Sequence, residues 1–443
     1  MNLIRLKGFR LFAFIWFGQF ISLIGSGLTR FALGVWVYQK TGSVTDFSLI
    51  ILCNTLPGML IAPFAGVLVD RFDRRWIMMI SDLIAGLSTL AIFFLLFTDH
   101  LALWHILVAN AIGAILEVFQ VPAYQATVSL LVPKEHLGRA NGMIQFGEAA
   151  SVVSAPLLAG FLIHTIDAHG VVLIDFVTCL FAVTSLFLVR FPRLTTQSKN
   201  VEKKKGAFLE NVTFGWKYIW RRPGLRGLLI YFAISNFLFG LMYVTLTPLV
   251  LSFSSEKALG LITSISGTGL ILGGLLMSIW GGAKRKINSL ILAGTICGIG
   301  LILEGAHPSV LNVGMGIFLL YFALPIANSS SQAIWQSKVA PEVQGRVFSV
   351  RRLIAISLNP VAYLISGPMV DYLFEPLMAE GGPLSGTIGA IIGTGTGRGI
   401  GLMLILLGIL NILNNLFGYL HPRVRNVEDE IPDAIVKKEA VAL

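Results

Sequence analysis

Long apolar runs separated by short polar turns recur along the whole chain. An α-helix needs about 20 apolar residues to cross a bilayer, and runs of that order fall at 11–38, 46–69, 76–98, 101–131, 140–165, 169–191, 226–253, 258–281, 288–305, 309–338, 345–374 and 398–420. The pattern predicts an all-α membrane protein with twelve transmembrane helices. A polar stretch at 192–225 divides it into a six-helix half at 1–191 and a second at 226–421, followed by a polar tail at 422–443.

Composition names the solvent. Of the 443 residues 55% are hydrophobic and 13% charged, against about 25% charged in a soluble domain. The net charge of +10 would fit a nucleic-acid binder if the bases formed one soluble patch, but they are sorted by side. One face collects Arg5, Lys7, Arg10, Arg71, Arg74, Arg75, Lys134, Arg139, Lys284, Arg285, Lys286, Lys338, Arg346, Arg351, Arg352 and the bases of 190–226, whereas the other has Lys40, Lys257 and Arg398. That asymmetry follows the positive-inside rule. It places both termini in the cytoplasm of a multi-pass protein of the bacterial cytoplasmic membrane and excludes nucleic acid as a partner.

The three cysteines lie within apolar runs and are too few for a disulfide framework. The first apolar run reaches residue 38 without a small-residue cleavage site, which predicts an uncleaved first helix. The seven histidines are scattered with no metal-ligand spacing, so no metal, cofactor or enzymatic centre is expected.

Within the linker, Phe208, Val212, Trp216 and Ile219 recur at steps of three and four, predicting a helix on the cytoplasmic lipid surface. An internal repeat supports the two halves. The turn after the fourth helix reads VPKEHLGRANG and that after the tenth APEVQGRVFS, each bringing a Gly-Arg pair to a helix start, with Arg139 and Arg346 207 residues apart. Parallel repeats of six helices are a transporter architecture.

Between helices two and three stand Gly66, Asp70, Arg71, Asp73, Arg74 and Arg75. This turn resembles the cytoplasmic signature of the major facilitator superfamily. Gly66 permits close helix approach, Asp70 accepts from helix-end amides or bases, and the arginines reach lipid phosphates or carboxylates. The cluster, with Asp82, Arg139 and Arg346, is expected to latch one conformation. The equivalent turn of the second half keeps Gly274 and Lys284 to Lys286 but has no aspartate. Asp73 replaces the superfamily's second glycine. With TGS at 41–43, Pro57 to Pro63 and WRRPGLRGLL at 220–229, it makes the chain similar to the drug:proton antiporter branch that contains macrolide-efflux proteins and the enterobactin exporter.

The resemblance implies alternating access by two pseudo-symmetric halves. Ser154, Ala155, Pro156 and Gly160 in helix five resemble the exporters' antiporter motif, where proline and small residues allow bending and tight helix contact. The superfamily's helix-four arginine has no counterpart, Ala109 or Asn110 standing near its place. Helices one, four, seven and ten are implied to line the central cavity, and each carries a polar or aromatic stripe at helical steps. The substrate cavity is accordingly expected from Gln19, Ser22, Asn110, Gln120, Tyr124, Asn236, Tyr243, Tyr321, Asn328, Gln332 and Trp335.

A charge in a bilayer costs about 2.5–3.5 kcal/mol even on lenient scales, so each needs a reason. Glu117, coupled to Arg30, and Glu148 are the expected proton-coupling residues, because a carboxylate changes protonation as its surroundings open to one side or the other. Asp175 is expected to be structural. The glycine-rich stretch 393–399 lacks the Lys-Ser/Thr ending of a phosphate loop, which argues for a proton gradient over ATP as the drive. These features together predict a monomeric secondary exporter of small amphipathic organic compounds embedded in membrane lipid, with a lysophospholipid or other lipid flippase of the same fold as the alternative.

Overall fold

The computed structural model describes residues 8–69, 73–132, 136–189 and 207–430. Helices are the secondary structure throughout. In the first half they are α1 (Phe9–Thr41), α2 (Val44–Val69), α3 (Arg74–Phe97), α4 (Leu103–Leu131) and α5 (Leu137–Leu188). The fifth and sixth expected spans are the two limbs of α5, which breaks at Asp167, where φ is +56°. With ψ at 175° this is a conformation that glycine adopts and an L-residue resists, so the helical ladder ends there.

The linker contributes α6 (Ala207–Trp220), and then follow α7 (Pro223–Phe253), α8 (Glu256–Trp280), α9 (Lys286–Ala306) and α10 (Val310–Lys338). The eleventh expected span is composite, running through α11 (Pro341–Ser357), α12 (Asn359–Met369), a π-helical turn at Val370–Phe374 and α13 (Glu375–Met378). Pro341, Pro360, Pro368 and Pro376 each remove a backbone donor there, which breaks a single continuous ladder. A short α14 (Gly389–Ile392) precedes α15 (Arg398–Leu420), and α16 (Pro422–Arg425) and α17 (Val427–Glu430) complete the described chain.

Among the described residues eleven helical stretches are long and apolar enough to cross a membrane, and one of them, Gly142–Leu188, contains the break. Large apolar side chains such as Phe94, Phe97, Leu311, Leu364 and Phe417 lie exposed on them. So much exposed apolar surface is stable against lipid and not against water. This is a multi-pass membrane protein.

The chain forms two compact units. The first comprises 1–196 and 247–267, and the second 197–246 and 268–443. In the first, α1 packs along α5, α2 along α4, and α3 against both α4 and α5. In the second, α9 is the hub, packed on α10 and α15, while α6 lies along α11. Gly215 makes that last approach possible, since a Cβ there would stand 2.7 Å from the Arg346 carbonyl oxygen.

Candidate functional site

A cavity of about 480 Å³ lies within the first unit, walled by α1 to α4 and both limbs of α5. The helical stripes of α1 and α4 converge on it, placing Gln19, Ser22, Asn110, Gln120 and Tyr124 in its wall. Arg30, Asp82, Glu117, Glu148 and Asp175 all line it as well, so four carboxylates and one guanidinium share one space.

Asp82 accepts from Gln19 Nε2 at 2.8 Å and from Gln120 Nε2. Expected in the latch, whose Asp70 and Arg71 lie outside the described residues, it ties α3 to α1 and α4 on the cavity wall. One turn on, Gly86 sets the same helix against Cys179 of α5. Asp175, expected to be structural, is buried in the same wall, accepting from Ser26 Oγ at 3.1 Å and Thr89 Oγ1 at 3.4 Å. Arg30 lies within electrostatic reach of Asp175, and no ion pair joins Arg30 to Glu117 among the described residues. Sequence reasoning missed Thr89 and the Trp16–Phe20 wall. Trp16 stacks on Phe20 with ring centroids 5.2 Å apart, and its Nε1 donates to the Met143 carbonyl at 3.0 Å, which leaves its face toward the cavity. The buried Tyr124 hydroxyl has no hydrogen-bond partner among the described residues.

The expected hinge is a place of backbone contact. A Cβ on Gly160 would stand 2.7 Å from the Glu256 carbonyl oxygen, and one on Gly260 would stand 2.5 Å from that of Pro156. The limb of α5 therefore touches the start of α8, within the first unit, with no side chain between. Ser264 Oγ adds a hydrogen bond to the Val153 carbonyl at 2.7 Å. Small residues are the usual means of such approach in lipid.

Of the expected latch, Asp70 and Arg71 lie outside the described residues, as does the side-chain setting of the stretch around Gly66. Arg74 and Arg75 open α3. Asp73 caps that helix, its carboxylate accepting from Arg75 N at 2.9 Å. The Arg75 guanidinium donates to the Leu186 and Phe187 carbonyls at 3.1 and 2.9 Å, covering the unsatisfied end of α5. The two repeat arginines make matching contacts. Arg139 sits over the Phe9 ring at 5.3 Å and Arg346 over the Phe214 ring at 5.2 Å.

The second unit treats its expected cavity residues unevenly. Tyr243 and Asn328 are exposed, and Asn236 and Tyr321 are partly buried. Gln332 accepts from Arg351 at 2.8 Å. Trp335 is 0% exposed beneath that same guanidinium, 5.0 Å from its ring, and so makes no substrate contact in this conformation. The end of the α10 stripe is taken up by the Arg351 side chain of α11, which reaches Ser331, Gln332 and Trp335. Sequence reasoning also missed Glu304. It is fully buried in the last turn of α9, and both carboxylate oxygens lack a hydrogen-bond partner among the described residues. Its place inside the expected span 288–305 was the signal that could have found it, since an ionisable residue within a span needs a reason.

The family model described as Major Facilitator Superfamily matches residues 15–362. The chain belongs to this superfamily. Among its relatives, macrolide efflux protein A of Streptococcus pyogenes is 29% identical over 365 residues, covering 81% of this chain and 88% of that protein. Multidrug efflux pump Tap of Mycolicibacterium fortuitum is 23% identical, again covering 81% and 88%. Among solved superfamily structures, the bacterial homologue of the human lysosomal transporter Spinster, inward-facing and unoccupied, aligns with a TM-score of 0.67 at 14% identity. That alignment covers 95% of this chain and 98% of the other. The fold is thus that of a superfamily transporter.

Proposed function

We propose that this chain is a secondary active exporter of amphipathic organic compounds across the bacterial cytoplasmic membrane, driven by inward proton movement, with both termini cytoplasmic. The observation that carries the reading is the cavity of the first unit, where four carboxylates and one arginine stand beside the Trp16–Phe20 stack. Ionisable groups in a bilayer are costly and mark ion and substrate pathways. Here their concentration in one space gives protons a place to bind and release. The aromatic faces and amides offer an amphipathic molecule apolar contact with a few fixed hydrogen bonds. The names of the relatives, efflux proteins for macrolides and for multiple drugs, and of the putatively assigned bacilysin exporter BacE of Bacillus amyloliquefaciens, 26% identical over 83% of this chain, support the outward direction. A membrane potential supplies about 2.3 kcal/mol per charge per 100 mV, sufficient to drive a cycle that carries one or two protons.

The test is uptake of a labelled macrolide into everted vesicles of an efflux-deficient host, where export runs inward, under an imposed pH gradient. Wild type should pump in proportion to the gradient, and Glu117→Gln should lose that dependence. Pumping that ignores the gradient in wild type removes proton coupling from the reading, and turnover of lysophospholipid in place of the macrolide replaces export with lipid flipping.

A further inference from the structure

The turn from α8 to α9 carries three successive bases, Lys284, Arg285 and Lys286, and no acid. Its N-cap residue is Arg285, whose side chain makes no capping bond. The first amides of a helix need acceptors; Asn288 N finds the Arg285 carbonyl at 3.1 Å, while Lys286 N and Ile287 N have no local acceptor. These two are met from 142 and 141 residues away: Glu428 of α17 accepts from Lys286 N at 3.1 Å and from Ile287 N at 2.9 Å. Asp429 pairs with Arg285. The Glu428 carbonyl accepts from the buried ammonium of Lys338, at the last turn of α10. The short segment is itself anchored, with Val424 and Val427 buried and Val424 packed toward Gly227 of α7 and Gly418 of α15.

Three features of this arrangement exceed what a passing surface contact would show. A single carboxylate satisfies two helix-end amides where the helix dipole favours negative charge. The same residue's backbone takes a buried lysine from a second helix. The acid pair also arrives at the turn that, in the repeat, lost the aspartate of its first-half counterpart. We propose that Pro422–Glu430 is an acidic clasp that stands in for that missing aspartate and holds the starting turn of α9 to the final turn of α10 while the transporter works. Glu428 and Asp429 are its positioning residues.

The experiment uses the full chain in nanodiscs, with hydrogen exchange followed at Lys286 and Ile287 and at the end of α10. Glu428→Ala should speed exchange at Lys286 and Ile287 about fivefold, the loss of roughly one capping interaction, and to a smaller extent at the end of α10, which the Glu428 carbonyl holds. Glu428→Gln, which keeps an acceptor oxygen, should do so less. Arg285→Glu should open the turn, and adding Asp429→Arg should close it again. In the same variants, macrolide efflux per inserted copy should fall with the exchange effect, an arm that rests on the exporter reading, whereas the exchange arm stands without it. Unchanged exchange in Glu428→Ala, acceleration limited to 427–430, or faster exchange with efflux per copy intact would each overturn the clasp.

Discussion

The turns that open α3 and α9 occupy equivalent places in the repeat and solve the same problem in opposite ways. Asp73 caps α3 from the adjoining residue, whereas α9 is capped by Glu428, far along the chain. The contrast extends through the units. In the first, ionisable side chains face a cavity, where water, a proton or a ligand can reach them. In the second, much of the polar inventory is spent inside the packing. Tyr231 donates to Asn415, Asn414 donates to Ser235 and to the Tyr231 carbonyl, Asn411 reaches the Gly294 carbonyl, and Glu375 accepts from Gly397 N and Ile400 N at the start of α15. A polar group facing open space can exchange partners, while one satisfied within a helix pair in lipid fixes that pair. The first unit thus keeps its ionisable groups on open space, whereas the second commits its polar groups to holding helices together.

The largest effect should come from Asp82→Asn, which keeps an acceptor for Gln19 and Gln120 but loses the charge. It should remove most proton-driven uptake into everted vesicles while leaving thermal stability close to wild type. A variant that exports normally would break the division between the units. Next, Asn415→Leu should strand the Tyr231 hydroxyl and destabilise the fold by about 2 kcal/mol, within the range for an orphaned buried group, as read by thermal unfolding in detergent. Any surviving folded protein should still couple to protons. Asp73→Ala should cost about 1 kcal/mol through loss of the α3 cap, detectable as faster hydrogen exchange at Arg75 with the α9 end unaffected. The smallest effect is the paired one. Arg139→Ala and Arg346→Ala should each cost about 0.5–1 kcal/mol, the value of an exposed cation–π contact, and unequal losses would show that the repeat is matched in sequence but not in energy.

Much of this architecture was legible in the sequence for a simple reason. Lipid admits helices almost exclusively, so apolar run length gave the spans, and 3.6-residue periodicity put Gln19 and Ser22 on one face and Asn110, Gln120 and Tyr124 on another. Depth and rotation between helices were not legible. Asp82 reads as a helix-end acid, and only the packing of α3 against α4 and α5 turns it to the cavity. Trp335 sits in register with Gln332 and Asn328 yet is sealed by Arg351 from a later helix. The composite span of α11 to α13 reads as one run because hydropathy does not register where prolines interrupt the ladder.

Taken alone, the sequence determined that the chain spans a membrane many times, that it is built from a repeat, and which residue types line the helices near its polar stripes, because these depend on local composition and period. The tertiary structure decided which charges share a cavity, that Pro156 and Gly160 meet Gly260 backbone to backbone, and that Glu428 completes a helix 142 residues away. Those are long-range pairings between helices, and no local pattern encodes the partner of a side chain whose only distinguishing feature is where another helix brings its unsatisfied amides.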